Sequence, residues 1–398
     1  MATEAAFVAR VSAQRHAPPR PDTVLIGLIL TLLGIGLVMV ASATIPTSSG
    51  TVSLHDFMRQ ALFALVGLAA AAILYGTPLE IFERARYPAL ALALILLAAV
   101  LIPGVGHSAN GSARWLSLGS LSLQASEPAR LLVLIYVAGY AVSHREPLTH
   151  SFWGLAKPVS MVALAGLLLL AEPDFGGTIV LFIAVLGVLF FAGARKRDTL
   201  VLVLLFGGAA VALAVASPYR LERLSAFLNP WASAQTTGFQ LTQALIATGH
   251  GGVFGVGLGE SVEKLLYLPE AQSDFIFSVL AEELGLIGVA AVILLFLAFV
   301  LRTFTIARRA AAAGQSFAAN LAFAIGLFLG VQAFVNIGVN LGVLPTKGLT
   351  LPFMSAGGSS LIVDLAACGL LLRAARETIT ATARGAAAKG VRRRKAKR

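Results

Sequence analysis

Lys264-Leu265-Leu266-Tyr267-Leu268-Pro269-Glu270-Ala271-Gln272-Ser273-Asp274-Phe275-Ile276-Phe277, followed by Ala281-Glu282-Glu283-Leu284-Gly285, sets charged side chains against the start of a long apolar run. An ionised group entering a bilayer is costly unless it faces protein or a water-filled cavity. The stretch therefore reads as the place where a membrane-embedded chain carries its polar chemistry, with Asp274 as the candidate catalytic residue. Glu282 and Glu283 fall about two turns further in, at roughly 12 Å depth for a rise of about 1.5 Å per residue. They read as structural carboxylates paired with an arginine from the outer side, and Asp364 in the last apolar run reads the same way.

The composition agrees with a chain dissolved in lipid. Hydrophobic residues make up 58% of it and charged residues 12%, and its mean hydropathy is +0.86; a soluble core needs far less apolar surface. Apolar runs at 24–43, 57–75, 87–103, 129–142, 158–171, 177–193, 199–217, 275–301, 317–344 and 360–375 each approach the roughly 17 to 25 residues that cross a bilayer as helix. The expected fold is an all-α polytopic integral membrane protein of about ten transmembrane helices. Residues 1–22 form an N-terminal tail, 23–376 the membrane domain, and 377–398 a basic tail. The break Glu172-Pro173-Asp174-Phe175-Gly176-Gly177 is a tight hairpin that Glu172 and Asp174 cap.

Orientation follows from Lys and Arg, which cytoplasmic loops retain. Both termini are expected inside, with Arg84, Arg86, Arg145, Lys157, Arg195, Lys196, Arg197, Arg302, Arg308 and Arg309 on that face. The outer face keeps only Arg59, Arg114, Arg130, Arg220, Arg223, Lys264 and Lys347, so each needs a functional or structural reason to be there. Ala41-Ser42-Ala43 has the small residues of a signal-peptidase site, but about 20 apolar residues precede it, more than the usual 7 to 15, and an uncleaved first helix is expected. The tail Arg392-Arg393-Arg394-Lys395-Ala396-Lys397-Arg398 suits anionic lipid headgroups rather than nucleic acid. Cys368, the single cysteine, has no partner for an internal disulfide.

The outer loops carry the remaining information. Before the fourth run, Gln124-Ala125-Ser126-Glu127-Pro128-Ala129-Arg130 starts a helix, with Ser126 as expected N-cap and Pro128 in the first turn. Glu127 and Arg130 are three apart, share a face and can pair. The loop at 218–274 is much longer than ordinary connections, yet Phe239, Leu241, Leu245, Ile246, Val253 and Phe254 give it the surface for short amphipathic helices at the membrane interface. Its glycines, among them Gly251, Gly255, Gly257 and Gly259, never satisfy G-x-G-x-x-G, and no strand precedes them, so a dinucleotide site is excluded. They are expected to turn the backbone tightly beside a bulky substrate.

Several of these phrases resemble one family. Asn229-Pro230-Trp231, Gly238-Phe239-Gln240-Leu241-Thr242-Gln243, Gly255-Val256-Gly257-Leu258-Gly259, the Lys264–Gly285 run, and Leu344-Pro345-Thr346-Lys347-Gly348-Leu349-Thr350-Leu351-Pro352-Phe353 with Gly357-Gly358-Ser359-Ser360 all resemble signatures of the SEDS family of polytopic peptidoglycan glycosyltransferases (FtsW, RodA, SpoVE). The likeness runs from about residue 20 to 376. Pro345-Thr346-Lys347-Gly348-Leu349-Thr350 is more similar to the FtsW branch than to the RodA branch. The departures are Arg130 where lysine is usual, Gln272-Ser273 where His-Thr is common, and Ala356 where tyrosine is usual.

The resemblance implies that Asp274 is essential for catalysis and that Glu127 and Arg130 lie by a substrate cavity. It implies polymerisation of lipid II for septal wall synthesis in the inner membrane, with a monofunctional class B penicillin-binding protein transpeptidase and other division membrane proteins as partners. Arg59, Arg114, Glu127, Arg130, Arg223, Lys264, Glu270, Lys347 and Ser359 are the candidate substrate-binding residues. Chemically, a glycosidase needs two carboxylates because an alcohol leaving group must be protonated. A diphosphate departs as an anion, so one base and several cations suffice. Partial desolvation at the membrane edge should raise the pKa of Asp274 towards the range useful for a base. Arginine offers a planar fork to the diphosphate and lysine a point charge. A divalent cation, magnesium or manganese, could share that task, although no ligand spacing identifies one.

Two other functions remain in view, an elongation-type polymerase and a transporter that flips the lipid-linked precursor. A transporter should show repeats and broken helices near mid-membrane, and the sequence displays neither. The basic-residue asymmetry makes the topology testable: reporters fused after Arg197 and Arg398 should read cytoplasmic and one near Gln235 periplasmic, while a periplasmic signal after Arg197 would break the ten-span expectation.

Overall fold

The computed structural model describes residues 21–44, 54–109, 112–118, 121–265, 268–346 and 348–395. Apolar runs become helices because only a helix satisfies every backbone group within its own segment in lipid. In chain order these are α1 (Thr23–Thr44), α2 (Leu54–Gly76), α3 (Leu79–Arg84), α4 (Arg86–Val100), α5 (Ser126–Ser143), α6 (Arg145–His150), α7 (Phe152–Ala171) and α8 (Phe175–Phe191). There follow α9 (Lys196–Val215), α10 (Pro218–Leu228), a 3-10 turn (Pro230–Ser233), α11 (Phe239–His250), α12 (Ile276–Ala312), α13 (Ser316–Asn340) and α14 (Gly358–Lys395). A helix stands over each apolar run. Among the described residues, seven helices are long and apolar enough to cross a membrane, and α4 and α8 are shorter apolar helices. The protein is a helical, multi-pass membrane protein.

α5 and α13 form the interior. Val133, Leu134, Val137 and Ala138 of α5 and Leu321, Ala322, Ala324 and Ile325 of α13 have no accessible surface. α14 packs along α2, α12 against α13, and α4 against α5. α9 is the opposite case, with only 11% of its apolar window buried, so its outer surface is left to lipid.

Four local features differ from the sequence reading. The segment before α5 folds as a three-stranded antiparallel sheet of β1 (Gly106–Ala109), β2 (Ser112–Leu118) and β3 (Leu121–Gln124). β2 pairs Trp115 with Gln124 and Leu118 with Leu121; strands this short, set among Gly and Ser, carry little periodicity. Second, α12 and α14 run beyond 301 and 375, where Ala-rich segments with strong helix propensity continue them. Third, α5 begins at Ser126 itself, and the Ser126 hydroxyl caps no backbone group but accepts from Arg130 Nη2 at 3.2 Å. Fourth, the 218–274 loop does contain short helices, α10 and α11, but the stretch at 251–257 has another task.

That task is to mend a break in α12. Gly285 has φ 62° and ψ −162°, which interrupts the helix. The backbone groups released there are taken up by residues 252–257: Val256 N–H donates to Glu282 O and Gly257 N–H to Glu283 O, while Leu286 N–H and Ile287 N–H donate to Gly252 O and Val253 O. A Cβ on Gly255 would lie 2.1 Å from Glu283 O, and one on Gly285 2.3 Å from Gly255 N. These glycines admit the chain's own backbone rather than a substrate. The sequence displayed no broken helix; the structure has one, repaired from within.

The same break disposes of the buried carboxylates. Glu283 pairs at 2.7 Å with Lys264, not with an arginine, and Lys264 Nζ also donates to Gly259 O at 2.7 Å and Ser42 Oγ at 3.2 Å. Ser42 donates in turn to Glu283 at 2.6 Å, which anchors the end of α1 in the core. Glu282 accepts from Ser261 Oγ and from Val262 N–H, and His250 Nδ1 lies 3.5 Å away. Asp364 does not make the expected pair: its Oδ1 is buried without a hydrogen-bond partner among the described residues. Removing one member of a buried ion pair strands the other charge, at a cost of about 3–5 kcal/mol. Lys264→Met should therefore lower thermal stability by that order, and Lys264→Met with Glu283→Gln should recover most of it in a detergent-solubilised melting experiment. Equal melting temperatures for the two variants would show that the stranded carboxylate is not the cause.

Candidate functional site

Asp274 lies in the turn before α12 and is half-buried. The N-cap of α12 is Phe275, without a side-chain cap bond, so capping does not explain the Asp274 carboxylate. Burial is the main reason its pKa rises from 3.8 to about 6; Glu270 adds to the rise, while Arg114 and Arg223 oppose it. Gly348 allows close approach here, since a Cβ on it would lie 3.1 Å from Asp274 Oδ2. The carboxylate faces two cavities, and Asp274, Arg114 and Gly348 line both.

The first cavity, of about 760 Å³, adds Asp174, Arg220, Arg223, Gln240 and Thr346 to those three. One wall is apolar, formed by Phe175 and Ile179 of α8, Ala210, Val211, Ala214 and Val215 of α9, and Leu224 of α10. Val211 and Val215 are also exposed on the flank of the bundle. Arg220 is engaged structurally, over the Phe175 ring at 4.7 Å and donating to Leu213 O.

The second cavity, of about 540 Å³, is lined mainly by polar and charged residues. Arg59, Trp115, Gln124, Glu127, Arg130, Glu270, Ser273, Ser359 and Ser360 line it. Arg130 is 2% exposed and pairs with Glu127 at 3.2 Å and with Asp174 at 2.6 Å. Asp174 also caps α8 by accepting from Gly177 N–H. Sequence reasoning found the first pair and the cap but not the link between them, which joins residues 44 apart in the chain. Arg114 donates to the carbonyls of Glu172 and Pro173 at 2.7 and 2.9 Å, fastening β2 to the hairpin. Glu172 stands at the C-cap of α7, its backbone N–H donating to Leu168 O, while both its carboxylate oxygens are buried without hydrogen-bond partners among the described residues. Its pKa is pushed up to about 8, first by burial and then by Asp174.

The structure thus brings Asp274 together with Arg59, Arg114, Glu127, Arg130, Arg223, Glu270 and Ser359 around two adjoining cavities. Arg59 lies over Phe63 at 5.6 Å. Glu270, at φ 57°, accepts from Ser273 Oγ at 2.8 Å. Ser359 Oγ accepts from Gln124 N–H at 2.9 Å, tying β3 to the start of α14. Lys264 lines neither cavity and is spent on Glu283. Lys347 lies outside the described residues. Among the described residues no three His, Cys, Asp or Glu side chains are grouped to hold a metal ion, so the open question of a divalent cation finds no protein-built cage here.

The geometry has counterparts in known proteins. The family model described as "Cell cycle protein", of FtsW, RodA and SpoVE, matches residues 23–380. A probable peptidoglycan glycosyltransferase FtsW of Thioalkalivibrio sulfidiphilus is 51% identical over 353 residues, 88% of each chain. That of Nitrosococcus halophilus is 50% identical over 374 residues, 94% of this chain and 96% of its own. Among solved structures, a chain from one described as structural coordination of polymerization and crosslinking by a peptidoglycan synthase complex superposes with a TM-score of 0.73 at 30% identity, covering 90% of this chain and 99% of its own. The rod shape determining protein RodA of Thermus thermophilus gives a TM-score of 0.67 at 29% identity, with 90% and 98% covered. With the family model spanning nearly the whole chain and half the positions shared with these relatives, the protein belongs to the FtsW/RodA/SpoVE family.

Proposed function

We propose that this chain is a peptidoglycan glycosyltransferase that polymerises lipid II into glycan strands for septal wall synthesis, with Asp274 as general base. The observation that carries the reading is one carboxylate, raised to about 6, lining two adjoining cavities that both contain Arg114. A two-substrate transfer needs a donor and an acceptor to meet at one base. The first cavity suits the donor: its apolar wall opens on the flank, where a prenyl chain can remain in lipid, and Arg114 and Arg223 offer planar forks to the diphosphate. The polar second cavity suits the acceptor sugar, with Arg59, Glu127, Arg130, Glu270 and Ser359 as binding residues.

The step balances without a second acid. The acceptor hydroxyl oxygen attacks the anomeric carbon of the donor sugar, its proton passes to Asp274, and the bond to the diphosphate breaks with the electron pair leaving on phosphate. The arginines offset the charge that develops there. Lys347, beside Gly348, is a further candidate for the diphosphate. The cavity-bearing end faces the periplasm and both termini face the cytoplasm in this reading. A class B penicillin-binding protein is the partner, since a similar chain comes from a peptidoglycan synthase complex, and other division membrane proteins join it. The transporter reading has less support, because the polar groups converge on a base rather than on a through-path.

Asp274→Asn tests the reading. Asparagine keeps the shape but cannot accept the proton, and losing a positioned base costs about 10² to 10⁴ in rate. Polymerisation of lipid II by the purified protein with its transpeptidase should fall by that factor while partner binding persists. In the native protein the active form is the ionised carboxylate, so the rate should rise with pH through about 6 and level off above it. Near-native polymerisation by Asp274→Asn would remove the base from the mechanism, and movement of lipid II between leaflets without strand formation would favour the transporter.

A further inference from the structure

α13 carries three buried amides on one face, Gln332, Asn336 and Asn340, spaced four residues apart and so about 6 Å from step to step. Amides this deep in an apolar bundle need partners, and these reach across to two loops. Asn340 Nδ2 and Asn336 Nδ2 both donate to the backbone carbonyl of Asp274, each at 3.0 Å. Asn336 Nδ2 also donates to Leu349 O at 2.6 Å, next to Gly348. Asn340 Oδ1 accepts from Ser278 N–H at 3.0 Å and Ser278 Oγ at 2.7 Å, which fastens the first turn of α12. Gln332 donates to Thr350 O at 3.0 Å and has no bond to Asp274.

We infer that Asn336 and Asn340 are positioning residues: a two-amide clamp on the Asp274 carbonyl that holds its carboxylate at the junction of the two cavities. The inference rests on Asp274 being the general base. Three features favour it over a purely structural amide pair. Two donors converge on one carbonyl, where one would satisfy the need for a partner. The same Asn336 nitrogen spans to Leu349, so the clamp fixes the separation between the Asp274 loop and the Gly348 loop that crowds its carboxylate. The two loops are otherwise joined by Ala356 N–H to Gln272 O and Ser355 Oγ to Ser273 O, both N-terminal to Asp274. The Asp274 peptide itself is therefore held from α13.

A displacement of about 1 Å in a reacting group can cost roughly 10² in rate. The test uses the full-length protein with its transpeptidase and lipid II. Asn336→Ala should lower kcat about 100-fold with KM changed less than threefold, while the rise of rate with pH stays where it is in the native protein, because Glu270, Arg114 and Arg223 still surround the carboxylate. Gln332→Ala, which removes an equally buried amide of the same helix without touching Asp274, should leave kcat within about threefold of native. If Asn336→Ala does not insert, Asn336→Ser supplies one donor in place of two and should fall between native and alanine. Three results overturn the clamp: native kcat in Asn336→Ala or Asn336→Ser, an equal loss in Gln332→Ala, or a loss expressed only in KM. An active Asp274→Asn would take down the base and the clamp together, whereas an inactive Asp274→Asn beside a native-like Asn336→Ala removes the clamp alone.

Discussion

A guanidinium sealed inside an apolar bundle must be matched by negative charge, and the placement of Arg130 organises everything around the cavities. It pairs with Glu127 one turn earlier on α5 and with Asp174 at the start of α8, so α5 and the α7–α8 hairpin cannot move apart without stranding a charge, which costs about 3–5 kcal/mol. The hairpin in turn presents the Glu172 and Pro173 carbonyls to Arg114, which docks the small sheet. Arg114 thereby reaches the boundary that both cavities share. One buried cation lines the second cavity directly and, through the hairpin, holds Arg114 where it lines both.

Glu283, Asp174, Glu172 and Asp274 sit in three kinds of environment, which differ in how well they suit a base. Glu283 is neutralised by Lys264, and Asp174 by Arg130 and a helix start; both are saturated. Glu172 is sealed away from both cavities, unpartnered and with a pKa near 8. Asp274 is half-buried, has Arg114 and Arg223 opposing the rise that burial causes, and lines two cavities. A base must be unsatisfied enough to take a proton yet ionised near neutral pH, and this intermediate environment suits both needs.

The helical, membrane-embedded class and the place of Asp274 at the edge of an apolar helix were legible in the sequence because both rest on local patterns: apolar run length, and a carboxylate at the start of such a run. The Glu127–Arg130 pair was legible for the same reason, being three residues apart on one helix. What depended on contacts distant in sequence was not. Lys264 resembled a substrate cation because no local residue revealed Glu283 and Ser42 as its partners, the latter 222 residues away. The Asp274 and Leu349 partners of Asn336 and Asn340 lie more than ten residues away in the chain, although the spacing of four, with Gln332 before them, is a periodic signal that could mark a buried polar face. The β-strands were too short for periodicity, and Gly251 and Gly255 gave no hint that their close contact is with α12.

The break in α12 bears on the choice between polymerase and transporter, since discontinuous helices are a transporter hallmark. In a transporter the freed backbone and helix ends face the substrate or coupling ion. Here the freed groups at 282–287 are consumed by residues 252–257, and the adjoining Glu282 and Glu283 are satisfied by Ser261, Val262, Lys264 and Ser42. Neither glutamate lines either of the two cavities at Asp274. The break ends in a closed set of internal bonds, and its effect is architectural: it lets the 218–274 loop descend into the bundle, turn at Lys264 and return to deliver Asp274 at the head of the same helix. The discontinuity thus sets the position of Asp274 and leaves no freed backbone group among the described bonds of the break to hold an ion.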